Sequence, residues 1–120
     1  MLITSDGMAA AAADGGAVLT LAPESDGSAL EAAARHSGVV RIAFSAMGDG
    51  RGFSLARRLR AAGFEGRLRA AGPLIADQFA ALARVGFDEV ELAPEAAVRL
   101  PAGASLRAPA GYRERLLNSG

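Results

Sequence analysis

The chain contains no cysteine, no lysine and no tryptophan, and it has a single histidine. Without cysteine it can form no disulfide, thiolate nucleophile, cysteine-ligated zinc site or iron–sulfur centre from its own residues. All thirteen basic residues are arginine, which excludes a Schiff-base lysine, a Walker-type phosphate lysine and a lysine general base. A GC-rich coding sequence accounts for that bias. His36 cannot build a multi-histidine metal site alone; near a helix C-terminus it complements the dipole. Aromatic residues make up only 5% of the chain, too few for a base-stacking platform. Thirteen acidic residues balance the thirteen arginines, so the basic field of a nucleic-acid binder is missing. No apolar run approaches the length of about 18 residues that suggests a membrane span. The N-terminal stretch from Met1 to Gly7 lacks the basic start of a signal peptide, so the expected location is the cytoplasm. No cofactor and no metal are expected.

What is present suits one globular domain. A length of 120 residues with 51% hydrophobic and 22% charged residues can bury its own core. Helix-to-strand junctions recur at Gly38, Gly63 and Gly86, and the latter two share the sequence Gly-Phe-acid (Gly63-Phe64-Glu65 and Gly86-Phe87-Asp88). Glycine at such a junction takes the left-handed conformation that closes a helix. Strand centres fall near Leu19, Val40, Leu68 and Val90, spaced for a strand plus a crossover helix. Helices are expected from about Ser28 to Arg35 with Asp26 or Ser28 as cap, from Phe53 to Ala62, and from Pro73 to Val85. Pro94–Val98 reads as a short helix, Pro101–Pro109 as loop, and Tyr112–Leu117 as a terminal helix or a frayed tail. Residues 1–98 thus form a single α/β domain, and 99–120 a C-terminal loop and tail.

Doubly wound sheets bury both faces and carry nearly continuous apolar strands. Here Arg41 lies between Val40 and Ile42, Arg67 and Arg69 flank Leu68, and Glu89 and Glu91 flank Val90. That alternation predicts helices on one face of about four parallel strands, a two-layer, half-barrel-like arrangement. Arg41, Arg69 and Glu91 are placed to form a cross-strand ion ladder on the other face, either solvated, covered in a homodimer, or lining a ligand site.

Ligands of open α/β sheets gather at the carboxyl ends of the strands. After the strand at Val39–Phe44 comes Ser45-Ala46-Met47-Gly48-Asp49-Gly50-Arg51-Gly52-Phe53-Ser54. Its alternate glycines allow close backbone approach, a helix start favours an anion, and Arg51 can fork onto two oxygens. Equally, the segment reads as a tight turn in which Asp49 and Ser54 cap backbone donors. A dinucleotide fingerprint is excluded, because Phe53 stands where a small residue is needed and Ala71-Gly72 where an acid is needed. The next strand end supplies Asp77 and Gln78, with Asp77 either stabilised in a first helical turn or facing Arg51. Arg84, two turns beyond Asp77, shares its direction but lies too far away to pair with it.

From about Val40 to Leu92 the sequence resembles domain of unknown function 934, a bacterial family. The resemblance rests on Asp49-Gly-Arg-Gly-Phe-Ser-Leu-Ala-Arg-x-Leu-Arg60, Gly66-x-Leu-Arg-Ala70, Asp77-Gln78 and Arg84-x-Gly-Phe-Asp88. Where the family has Phe-Pro-x-Phe, this chain has Phe44-Ser45-Ala46-Met47. Such genes sit beside those for sulfite reductase and other sulfate-assimilation enzymes, and some members carry an oxidoreductase label tied to sulfite reduction. The resemblance therefore implies a part in assimilatory sulfite reduction. It carries any shared function to Asp49, Gly50, Arg51, Gly52, Ser54, Arg69, Asp77, Gln78 and Arg84.

Three readings stay open. The leading one is a non-catalytic accessory protein of sulfite reduction, binding a small oxyanion or a partner such as sulfite reductase. A six-electron reduction needs a redox cofactor, and the chain offers no cysteine or histidine set to hold one. The second is a small enzyme using Asp49 or Asp77 as general acid and base, with Arg51 stabilising an anion. The third is a structural or assembly subunit. A homodimer is expected, since open sheet edges need cover.

Overall fold

The computed structural model describes residues 2–4, 7–9, 18–36, 38–46, 50–101 and 103–106. Among the described residues six strands form one sheet: β1 (Leu2–Thr4), β2 (Gly7–Ala9), β3 (Val18–Leu21), β4 (Val39–Ala43), β5 (Arg67–Ala71) and β6 (Glu89–Glu91). The helices are α1 (Gly27–Ala34), α2 (Gly50–Ala61), α3 (Phe79–Arg84) and α4 (Pro94–Ala97), and a 3-10 turn at Ala76–Gln78 precedes α3. The order across the sheet is β2-β1-β6-β5-β4-β3. The strands β3, β4, β5 and β6 are parallel neighbours and contain the expected centres Leu19, Val40, Leu68 and Val90. The sheet is nonetheless mixed and has six strands rather than about four, because β1 joins β6 and β2 joins β1, both antiparallel. β1 and β2 are short and precede the repeated strand-plus-helix spacing that marked the other four.

The register explains why one face is apolar. Ile3, Val90, Ala70, Ile42 and Leu21 lie in one row across five strands, and Val40, Leu68 and Leu19 share their face. These residues join Leu30 and Ala33 of α1, Leu55, Ala56 and Leu59 of α2, and Phe79, Leu82 and Ala83 of α3 in a single core cluster. The three crossover helices therefore pack on the same face. Leu106 closes the cluster from the C-terminal side, and its N–H donates to the Thr4 carbonyl at 2.9 Å.

The repeated Gly-Phe junctions share one construction. After α2, the Gly63 N–H donates to the Arg60 carbonyl and the Phe64 N–H to the Leu59 carbonyl. After α3, Gly86 donates to Ala83 and Phe87 to Leu82. Both glycines have positive φ, +104° and +108°. This pairing satisfies the last carbonyls of a helix and drops the following aromatic into the core; Phe64 and Phe87 are buried. At the third junction Ser37 lies outside the described residues.

Two helix starts differ from the sequence expectation. The helix α2 begins at Gly50, three residues before the expected Phe53, so Gly50 to Ser54 are helical and Arg51 is not in a loop. Ser54 is the fifth residue of α2 and does not cap it. Glycine disfavours a helix by about 1 kcal/mol relative to alanine, but tertiary packing overrides that preference here. Pro73, expected at a helix start, lies in a loop instead. Gly72, at φ +124°, turns the chain there, and regular α-helix resumes only at Phe79. The α1 cap is Asp26, whose Oδ1 accepts from the Ala29 N–H at 3.0 Å. No helix among the described residues is long and apolar enough to cross a membrane.

Candidate functional site

At the carboxyl end of β3 the chain turns tightly. The Ala22 N–H donates to Ser25 Oγ at 3.0 Å, and the Ser25 N–H returns a bond to the Ala22 carbonyl at 3.0 Å. This reciprocal pair fixes Pro23 at the strand end. At the end of the neighbouring β4, the Phe44 N–H donates to the Ala71 carbonyl of β5 at 2.7 Å, extending that ladder by one bond. The ring of Phe44 lies under Gly52 and packs against Phe53 and Phe87, with centroids 5.5 and 5.9 Å away. Gly52 is thus where α2 is seated on the sheet, and its lack of a side chain is explained by that contact.

Between the Pro23 turn and α2 is an open groove of about 490 Å³, lined by Pro23, Gly50, Arg51, Ser54, Leu55 and Arg58. Positions 51, 54 and 58 recur at helical spacing and share one face of α2. The first-turn N–H groups of a helix have no intrahelical acceptor, and its dipole places partial positive charge there. The groove therefore combines guanidinium groups, a hydroxyl and the start of a helix, with no acidic residue among those six lining residues. That combination suits an anion.

Of the sequence candidates, Gly50, Arg51 and Ser54 meet in this groove. Gly52 is buried against Phe44, and Asp49 lies outside the described residues. Asp77 and Gln78 belong to the 3-10 turn after β5. Gln78 Oε1 accepts from the Ile75 N–H at 3.0 Å, and the Gln78 N–H donates to the Ile75 carbonyl at 3.0 Å. That side chain organises its own turn. Arg84 is exposed in the last turn of α3. Sequence reading missed Pro23, Leu55 and Arg58. Arg58 carried a usable signal, since it stands seven residues, about two helical turns, after Arg51.

Arg69 sits in mid-strand on the sheet face opposite the helices, in an ion ladder. Arg41 donates through Nε and Nη2 to Glu91 Oε2 at 3.2 and 3.0 Å. Arg69 Nη1 donates to Glu91 Oε1 and Arg69 Nε to Glu89 Oε2, both at 3.2 Å. Arg67 grips Glu89 with two bonds of 2.7 and 2.9 Å. Arg41 reaches from β4 over β5 to β6, which is possible because Ala71 stands between Ala43 and Glu91 in that row. The Arg69 and Glu89 side chains are only 5% and 3% exposed, so this pair is buried. Burial pushes the Glu91 carboxyl up, but the hydrogen bond and charge of Arg41, then the charge and bond of Arg69, outweigh it and hold Glu91 below the ordinary glutamate range. The ladder links three strands.

Compared with known protein families, residues 18–119 match a bacterial protein family of unknown function, domain of unknown function 934. Searches of curated proteins and of solved structures gave no match. The matched region begins at the first residue of β3 and takes in the whole parallel block, the groove and the ladder. Spanning well over half of the chain, this match shows that the protein belongs to the family.

Proposed function

We propose that the protein is an accessory protein of assimilatory sulfite reduction that binds a small oxyanion at the start of α2. One observation carries the reading: Arg51, Ser54 and the Gly50 end of α2 line the same groove at the carboxyl end of the parallel strands. Backbone donors of the first helical turn and the forked guanidinium of Arg51 are complementary to the oxygens of sulfite, sulfate or phosphate. The sulfur context comes from the family resemblance, in which the genes neighbour those of sulfite reductase. Protein-level support for an accessory role is the residue inventory, which lacks any thiol for a redox centre. A homodimer belongs to the same proposal, since β2 and β3 end an open sheet.

Titration calorimetry with sulfite, sulfate and phosphate on the wild type and on Arg51→Ala tests the oxyanion site. Each charge-assisted bond is worth about 1.5–3 kcal/mol, so the variant is expected to lose roughly ten- to a hundred-fold in affinity. Equal affinity of the two proteins for all three anions overturns the reading. For the pathway, co-purification with sulfite reductase and growth on sulfate as sole sulfur source are the corresponding measurements. The dimer is checked by sedimentation.

A further inference from the structure

The groove is larger than a bare oxyanion requires. Its volume of about 490 Å³ compares with a share of about 30 Å³ for one water molecule in the liquid, and it falls within the range of about 300–1,000 Å³ typical of sites for organic ligands. Its two arginines also stand apart. Arg51 and Arg58 are separated by seven residues of α2, about 10 Å along the axis at 1.5 Å per residue. Ser54 lies between them on the same stripe, and Pro23 and Leu55 supply apolar wall. A ligand with an anionic group at each end matches that spacing, meeting one arginine with each.

We infer that the groove takes a small organic metabolite carrying two anionic groups, one held at the Arg51 end and the other by Arg58, with its body against Pro23 and Leu55. This rests on the oxyanion reading above and adds the ligand class to it. Arg51, Ser54 and the helix start recognise a phosphate- or sulfate-type group, while Arg58 selects molecules long enough to present a second one.

The test uses fructose 1,6-bisphosphate, fructose 6-phosphate and inorganic phosphate as probes of one, one and two charged ends in reverse order, titrated at fixed ionic strength. Wild type is expected to bind the bisphosphate roughly ten-fold or more tightly than either other probe, by one added charge-assisted contact. Arg58→Ala should bring the bisphosphate down to the level of the monophosphate and leave inorganic phosphate unchanged. Arg57→Ala removes the same charge from the neighbouring position, which does not line the groove, and should change nothing. If the bisphosphate binds no tighter than the monophosphate, or if Arg57→Ala has the same effect as Arg58→Ala, the two-ended ligand is overturned while a single-anion site at Arg51 stands. If none of the probes binds, both readings fall. Thermal unfolding of the variants, expected to match wild type, confirms that the exposed substitutions leave the fold intact.

Discussion

Gly52 and Phe44 occupy each other's space: a Cβ on Gly52 would fall 2.5 Å from Cζ and 2.8 Å from Cδ2 of the Phe44 ring. The ring is buried and packed between Phe53 and Phe87, which opposes its displacement. Helix propensity alone makes Gly→Ala stabilising by about 1 kcal/mol. Overpacking a filled core costs about 1–3 kcal/mol, and here it dominates. Gly52→Ala is therefore expected to lower stability in urea unfolding, and Phe44→Leu to offset part of that loss, so that the double variant is more stable than the two single effects add up to. A Gly52→Ala protein more stable than wild type would show that the ring can yield.

The same pair shows what the sequence could convey. The alternation around Val40, Leu68 and Val90 was sufficient for helices on one face, because a strand with arginine or glutamate at every second position cannot be covered by apolar helices on both faces. Arg41, Arg69 and Glu91 were likewise legible as a ladder, since alternation puts them on one face, although the register sets Glu89 and not Glu91 directly beside Arg69. The start of α2 was not legible. Three residues of glycine-rich sequence look like a loop until Phe44, distant in neither sequence nor space, is seen to need the missing side chain at Gly52. Gln78 looked available for a ligand, yet its partner is the backbone of Ile75, three residues earlier. The role of Arg60 was hidden for a related reason: it fell on the polar side of the helix pattern, while its partners belong to two later junctions.

Those partners make Arg60 a clamp at the end of the sheet opposite the groove. Its Nη1 donates to the carbonyls of Phe64 and Gly66, both at 2.9 Å, and its Nη2 to Gly86 O at 2.7 Å and Asp88 Oδ2 at 2.8 Å. The guanidinium also lies 5.3 Å from the centroid of the Phe64 ring. Asp88 Oδ2 accepts from the Leu68 N–H at 2.9 Å as well, so one side chain ties the α2–β5 junction to the α3–β6 junction. Arg60→Ala should cost at least about 2 kcal/mol in denaturant unfolding, given several charge-assisted bonds. Arg60→Lys should recover little of it, because an ammonium cannot match a fork spread over four acceptors. Full recovery by lysine would reduce the clamp to a point charge beside Asp88.

Glu89 is the buried carboxylate of the ladder, and removing it leaves the equally buried Arg69 in a desolvated site with a weakened set of carboxylates. Breaking a buried pair from one side costs about 3–5 kcal/mol, whereas replacing both members with apolar residues is often neutral. Glu89→Gln is thus expected to destabilise strongly, and Arg69→Met combined with Glu89→Leu to destabilise far less. Equal losses for the single and double variants in calorimetric unfolding would mean that the ladder stabilises the sheet outright instead of compensating its own burial.

Glu91 gives the ladder a pH signature. In the folded chain its carboxyl is held down by Arg41 and then Arg69 in spite of burial, so folding favours the ionised form. A group whose pKa falls on folding adds stability that is complete above its unfolded value, about 4.3 for glutamate, and is lost as pH drops through the folded value. The stability difference between wild type and Glu91→Gln should therefore be constant near neutral pH and shrink below about pH 4.3. Because the Glu91 side chain is 35% exposed, added salt should diminish the difference at every pH. Arg41→Met leaves Glu91 with its burial and only Arg69 to oppose it, so the carboxyl should titrate at higher pH than in wild type. Carboxyl-carbon titration followed by NMR reads this directly, and a wild-type Glu91 titrating above the ordinary glutamate value would show that burial outweighs both arginines.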